Sequence, residues 1–477
     1  MTRRDVGPLI GLGALVAGVL FGQHAGANSA SGALLAGGLA LAAAWFVDGP
    51  ARVAVAAVAL ALLGSASMQR ALDGLEHHEL VGAVARGETV ALGGVLVSDP
   101  DGQRFGADAL VRIDGVERIV LARASGDDAG RLRVLAAGDH VDIVGRLEPL
   151  PRTGFDARVK WDHVVAIVSD TEIRAFTPPQ RSLAAVANHA REVVLRGTGP
   201  LDAEARALLA GFLLGDDRAI PDDVADDYRA AGLSHLLAVS GANVAFVLLA
   251  FTPLLRRMSL LPRTTIAIAI VVAFAAATRF EPSVLRASAL ATVAILTNFV
   301  GRPVSRVRAL VLAIVALVVL DPFLLHSVGF HLSCAASAGI ALLARPLAAR
   351  LPGPALIREP LSVSIAAQLG VMPVLLVVFG TVPVLGPFAN LLAMPAAEVL
   401  GVFGLVASVI GGIVPPVGVV VAPVTTLLVD WITTVAEVTA GVGGELDARG
   451  AAVVTIVGWL AMVARRARRP VSDPASR

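Results

Sequence analysis

Few side chains in this sequence can do chemistry, and most of those stand inside apolar stretches, where a polar group is expensive. His235, Ser240 and Asn243 lie within GLSHLLAVSGANVAFVLL, at Gly232 to Leu249, where a charged sequence turns into a greasy one. Polar groups at bilayer depth are tolerated where protein buries them or where they line an aqueous cavity, and this trio fits either. A Ser–His nucleophile is disfavoured: the 235/240 spacing puts the pair on different helical faces, and no third group orients it. Arg286 falls about one turn into the apolar run that follows Arg279, Glu281 and Pro282. It could attract phosphate in an aqueous funnel or neutralise Glu281. Gln368 and Asn390 each adjoin a Pro/Gly interruption of the uncharged region 361–397, and their amides suit interhelical hydrogen bonds or the lining of a path. Asp216, Asp217 and Arg218 make a dense turn whose Asp–Arg pair could order the mouth of such a path, or stand as a solvated turn.

Other chemistries lack their residues. A phosphate-cradling P-loop needs Gly-Lys-Ser/Thr, and the sole lysine, Lys160, lies in Arg158-Val159-Lys160-Trp161. The 9 histidines contain no H-x-H-x-D-H metal cluster, and His326 and His331 are poorly spaced for shared ligation. Cys334 is the only cysteine, so neither an intramolecular disulfide nor a CxxC site can form. Glu398, Asp430 and Glu437 lie in apolar surroundings, where a carboxylate must be paired, protonated or kept off an anionic path; a proton relay is the alternative. The expectation is a chain with no catalytic residue, metal or cofactor.

The positioning elements follow from composition. With 477 residues, 56% hydrophobic, 16% charged and a mean hydropathy of +0.76, the chain exposes too much apolar surface for a soluble core and reads as a polytopic membrane protein. Its net charge of +1 says nothing about partners. Apolar segments at 8–22, 31–47 and 51–68 make residues 1–70 an N-terminal membrane unit rather than a signal peptide. Across 71–178 the pattern changes to short Val/Ile-rich runs divided by Gly, Asp and Pro, which predicts a small, mostly antiparallel barrel or sandwich. In it, Trp161 is a candidate for an exposed aromatic contact or for the core, and Arg152 and Phe155 lie in a candidate contact loop. Residues 179–231 predict two amphipathic helices, one capped by Ser182 with Leu183, Val186, Ala190 and Val193 or Val194 on its apolar face, the other carrying Leu201, Ala205, Leu208, Leu209 and Phe212. They suit the membrane interface or the space between barrel and bundle. Arginine-rich turns then divide 232–466 into about nine crossings, about twelve in all, with a tail at 467–477, both termini cytoplasmic and the β domain outside.

Five segments in order resemble the ComEC family, the inner-membrane channel of bacterial DNA uptake: FLLGDDR at Phe212–Arg218, HLLAVSG at His235–Gly241, SVLRA at Ser283–Ala287, DPFLLHSVGFHLS at Asp321–Ser333, and AQL…P…FG…GPFANLLAMP between Ala367 and Pro395. His331 stands where that family usually has glutamine. The resemblance implies an OB-like fold for the β domain and thus a polytopic α-helical membrane protein with an inserted small all-β OB-like domain. It implies a non-enzymatic conduit for single-stranded DNA, passing His235, Ser240, Asn243, Arg286, Gln368 and Asn390, with Asp216, Asp217, Arg218 and Glu281 at the mouth. Many members carry a β-lactamase-like nuclease after the membrane region. Its cluster is missing from this sequence, so the nuclease, the DNA receptor and the cytoplasmic motor are expected to be separate partners. A secondary transporter of a small anionic solute and a non-conducting membrane partner are the rival readings.

Overall fold

Apolar length sets the first elements. The computed structural model describes residues 3–24, 30–103, 106–154, 156–237, 241–301, 304–447 and 450. Helices α1 (Arg3–Gly22), α2 (Ala30–Ala43) and α3 (Gly49–Glu76) pack together, α3 carrying Pro50 in its first turn, where its missing N–H costs nothing. At 28 residues, α3 is longer than the roughly 20 that span a bilayer. Its C-terminal turns therefore leave the lipid and hand the chain to α4 (Val81–Arg86) and the β domain.

That domain holds β1 (Thr89–Leu96), β2 (Asp101–Gln103), β3 (Gly106–Ile113), β4 (Ile119–Ser125), α5 (Gly126–Arg133), β5 (His140–Glu148), a 3-10 turn over Asp156–Asp162 and β6 (Val164–Thr177). β5 alternates buried and accessible residues along most of its length, the period of a strand with one face in a core. β1 pairs antiparallel with β3 and β5, β3 with β4, and β5 with β6, while β4 and β6 pair in parallel. These pairings close five strands into a ring, which removes the open edges an isolated sheet would expose. Val111, Val120, Leu132, Val141, Ile143, Leu147 and Val168 fill it.

The linking helices are α6 (Leu183–Gly197), α7 (Ala203–Leu214), α8 (Asp222–Ala230) and α9 (Ser234–Leu237). The Ser182 hydroxyl accepts from the Ala185 N–H at 3.1 Å, so the expected cap forms. Of the expected apolar face, Val194 is buried beside Ala187 and Arg191, while Leu183 and Val186 are exposed. Arg191 takes the inward position because its charge is matched there. α7 is buried over nearly its whole length.

The membrane region comprises α10 (Gly241–Leu255), α11 (Leu260–Ala277), α12 (Pro282–Phe299), α13 (Arg306–Leu320), a 3-10 turn at Pro322–His326, α14 (Val328–Ala348), α15 (Ala355–Val378), β7 (Thr381–Pro383), α16 (Gly386–Val399), a π turn at Leu400–Gly404, α17 (Leu405–Ile413), α18 (Pro415–Val442) and β8 (Glu445–Asp447), which pairs with β7. Among the described residues, 7 helical stretches are long and apolar enough to cross a membrane, and three shorter apolar helices accompany them. Trp45, Phe46, Leu356 and Val377 leave most of their surface uncovered, which suits lipid and not water. The prolines break the chain less than expected. Pro360 and Pro373 lie inside α15 and Pro395 inside α16, so the break falls at 379–385. Neighbouring helices allow a membrane helix to pass through a proline.

One contact fixes α6 on this bundle. A Cβ on Gly197 would lie 1.8 Å from the Ser408 carbonyl oxygen of α17, so only glycine admits the approach. Gly197→Leu is expected to cost about 3 kcal/mol, since backbone and not a yielding side chain is struck. The check is a lowered Tm of the detergent-purified chain; an unchanged Tm would contradict the contact.

Candidate functional site

Loops from four parts of the chain meet where the β ring faces the membrane helices. Arg191 of α6, only 5% exposed, pairs through Nη2 with Asp99 at 3.0 Å and Asp216 at 3.1 Å. Its Nη1 donates to the Leu214 and Ala277 carbonyls at 3.0 and 2.8 Å. Arg279, between α11 and α12, reaches Asp99 at 2.7 Å and donates to the Asn188 amide oxygen, also at 2.7 Å. Arg218 holds Asp216 with two hydrogen bonds of 2.7 and 2.8 Å. Burial pushes both aspartates up, yet the arginines outweigh it and hold Asp99 and Asp216 below their ordinary value of 3.8.

A second set of carboxylates lies on the same side. Burial, then Asp101 and Asp216, push Asp217 up; burial, then Asp217 and Asp162, push Glu281 up. Glu281 is accessible and precedes Pro282 at the start of α12. The joint between ring and bundle therefore mixes clamped guanidinium groups with crowded acids. The two sets oppose each other with pH. Depressed acids stabilise above their unfolded pKa and lose that as pH falls through the folded value, whereas raised acids are relieved as pH falls towards ordinary carboxylate values. The ring is thus expected to stay docked through mild acid and to release only below pH 3.8, the ordinary aspartate value. Limited proteolysis across a pH series checks this; release between neutrality and pH 5 would contradict it.

Trp161 belongs to a second joint. Its ring stacks on His326 at 3.5 Å between centroids and 4° between planes, meets Phe323 edge-on at 5.4 Å, and has Lys160 Nζ 4.4 Å from its centroid. His163 pairs with Asp321 at 3.3 Å. The 3-10 turn of the ring is thereby set on the 3-10 turn between α13 and α14. One Trp161 face is occupied, so stacking a base there would displace His326. Arg152 is exposed, and Phe155 lies outside the described residues.

The polar membrane residues gather round the two ends of the segment that enters the bundle. Arg286 on α12 is 7% exposed and donates from Nε to the Ser333 hydroxyl of α14 at 2.6 Å. A Cβ on Gly241, the first residue of α10, would come within 2.6 Å of Arg286 Nη2. Among the described residues Arg286 pairs with no carboxylate, Glu281 included. At the other end, a Cβ on Gly232 would meet Pro383 at 3.0 Å and the Gly386 Cα at 3.1 Å. Gln368 donates to the Pro383 carbonyl at 3.1 Å, closing the break after α15. His235 is exposed and hydrogen-bonds the Gly232 backbone. One turn beyond Gly386, the Asn390 Oδ1 is buried and finds no partner among the described residues.

A family model described as "Competence protein" matches residues 212–469, more than half of the chain. The chain belongs to the Competence protein family. "ComE operon protein 3" of Bacillus subtilis (strain 168) is 22% identical over 303 residues, covering 63% of this chain and 38% of that protein. The chain thus spans well under half the length of that curated relative. No solved structure matches.

The Competence family match takes in Asp216, Asp217, Arg218, His235, Ser240, Asn243, Glu281, Arg286, Gln368 and Asn390, and leaves Arg152, Phe155 and Trp161 outside it. The fold does not place these residues alike. Arg286 and Gln368 lie near the two ends of the entering segment that carries His235, and Ser240 lies outside the described residues. Asn243 turns away: it is 5% exposed, and its amide donates to the Phe212 carbonyl of α7. Glu398, Asp430 and Glu437 are exposed, and among the described residues no three His, Cys, Asp or Glu are grouped to hold a metal. Ser333, Asp99 and Arg191 escaped sequence reading. Ser333 had a faint signal, a serine inside an apolar helix; Arg191 had a better one, an arginine on the stripe of Ala187 and Val194.

Proposed function

We propose that this Competence family member is a non-enzymatic conduit through which a single strand of DNA enters the cell during natural transformation. The observation that carries the reading is Arg286: a guanidinium inside a membrane helix that donates to the Ser333 hydroxyl, packs beside Gly241 and, among the described residues, meets no carboxylate. Such a group has charge left over for phosphate, and phosphates need a hydrated, positively biased lining. The orphaned Asn390 oxygen and the accessible His235 ring support a polar route beside it. The Arg286–Ser333 bond joins α12 to α14 beside the proposed route.

In this reading the five-strand ring is an OB-like domain outside the cytoplasm, supported by its closed pairing with one parallel contact. About twelve crossings put both termini in the cytoplasm, the arginine-rich turns facing inward. A DNA receptor, a nuclease and a cytoplasmic motor are separate partners. The test is gene deletion followed by uptake of labelled DNA in a transformable host. Loss of strand import, restored by the full chain, supports the conduit. Normal import without the protein removes it, and import of a small labelled anion in place of DNA would move the chain to the transporter class.

A further inference from the structure

A second place in the membrane region combines a basic rim with a greasy wall. A cavity of ≈ 410 Å³ opens between α12, α13 and α14. Leu290, Ala294, Leu310, Ile340 and Ala341 form most of its wall. Its rim is polar: Asn298 near the end of α12, and Arg306 at the start of α13. Arg306 is exposed and makes no ion pair among the described residues. The N-terminus of α13 lies at the same rim and adds the positive end of a 15-residue helix.

The wall runs inward from this rim. Leu290 precedes the end of α12 by nine residues, so the apolar slot reaches about 14 Å along the helix axis at 1.5 Å per residue. A cation and an amide at the membrane surface above a long apolar slot match an amphiphile with an anionic head. A free phosphate would use the rim and leave the slot empty of partners. A nucleic-acid strand needs polar contacts along its whole length, which this wall does not supply.

We propose that this cavity seats one anionic phospholipid, its phosphate on Arg306 and Asn298 and an acyl chain along α12 and α14. Basic pockets between membrane helices take such head groups. The site lies one turn from the polar contact described above: Leu290 follows Arg286, and Ser337 follows Ser333, each by four residues. A bound lipid therefore braces the two helices that the Arg286–Ser333 bond joins. The inference rests on membrane placement alone and stands or falls separately from DNA passage.

The experiment uses the full chain, exchanged into nanodiscs holding equal phosphatidylglycerol and phosphatidylcholine, then washed in detergent and weighed by native mass spectrometry. The wild type is expected to keep phosphatidylglycerol over phosphatidylcholine by about tenfold, because the choline cation of the latter offsets its phosphate and is repelled by Arg306. Arg306→Gln removes that preference. Ala341→Trp and Ala294→Trp, which fill the slot from different helices, each lower retained lipid by about tenfold, while Leu35→Trp on α2 does not. Equal retention of both lipids by the wild type overturns the proposal. So does retention unmoved by either tryptophan in folded protein, or displacement of a labelled oligothymidylate instead of lipid, which would give the cavity to the nucleic acid.

Discussion

Arg286→Ala is expected to lower import of labelled DNA by at least about tenfold while the protein stays in the membrane at near-normal level. The separation of the two effects is what makes the variant decisive. Burying a guanidinium costs several kcal/mol of hydration, and among the described residues no carboxylate repays it and the Ser333 hydroxyl accepts from it. Removing the arginine therefore releases that cost and leaves one hydroxyl seeking a partner, which a helix carbonyl can supply. Stability should hardly fall. Arg286→Lys keeps the charge but loses the planar donor set whose Nε meets Ser333, so partial import is expected. Gly241→Val provides an independent route to the same defect, because its side chain would press on Arg286 Nη2 from α10. Full import by both Arg286→Ala and Gly241→Val would remove the arginine from the path.

Hydropathy made the membrane helices legible, and the Val/Ile runs between turn residues made the β domain legible, because both depend on local pattern. The ring closure was not, since β4 and β6 meet in parallel across the length of α5 and β5. On α6 a residue-type reading sends arginine outward and Leu183 and Val186 inward, and the fold does the reverse. The reason lies 92 residues before Arg191, at Asp99, and 25 after it, at Asp216. No spacing rule reaches that far. Asn243 shows the same limit from the other side: a polar residue in an apolar run is as readily a strut to a carbonyl, here that of Phe212, as a lining group. Arg286 was legible as a candidate because a charge one turn inside a span demands an explanation, though its partner, a serine on another helix, could not be read.

The same side chain type at Arg191 leads to the opposite expectation. Arg191→Leu keeps the volume but leaves Asp99 and Asp216 buried beside less positive charge, with the Leu214 and Ala277 carbonyls also losing their donor. Breaking one partner out of a buried ion network costs about 3–5 kcal/mol, because the remaining charges cannot regain water. Arg279 and Arg218 still face the two aspartates, so the loss is expected to sit at the lower end at neutral pH. It should shrink in acid, because the wild type loses the stabilisation of its depressed Asp99 and Asp216 as pH falls below 3.8, while the variant, whose carboxyl pKa values lie closer to ordinary, has less to lose. A double change, Arg191→Leu with Asp99→Asn, should recover part of the loss, since it removes one of the two carboxylates left beside less positive charge. The measurement is Tm in detergent across pH for the three chains, with proteolysis at 178–182 reporting separation of the ring from the bundle. An Arg191→Leu chain as stable as the wild type, with no pH dependence of its own, would mean that the network decorates the joint and does not hold it.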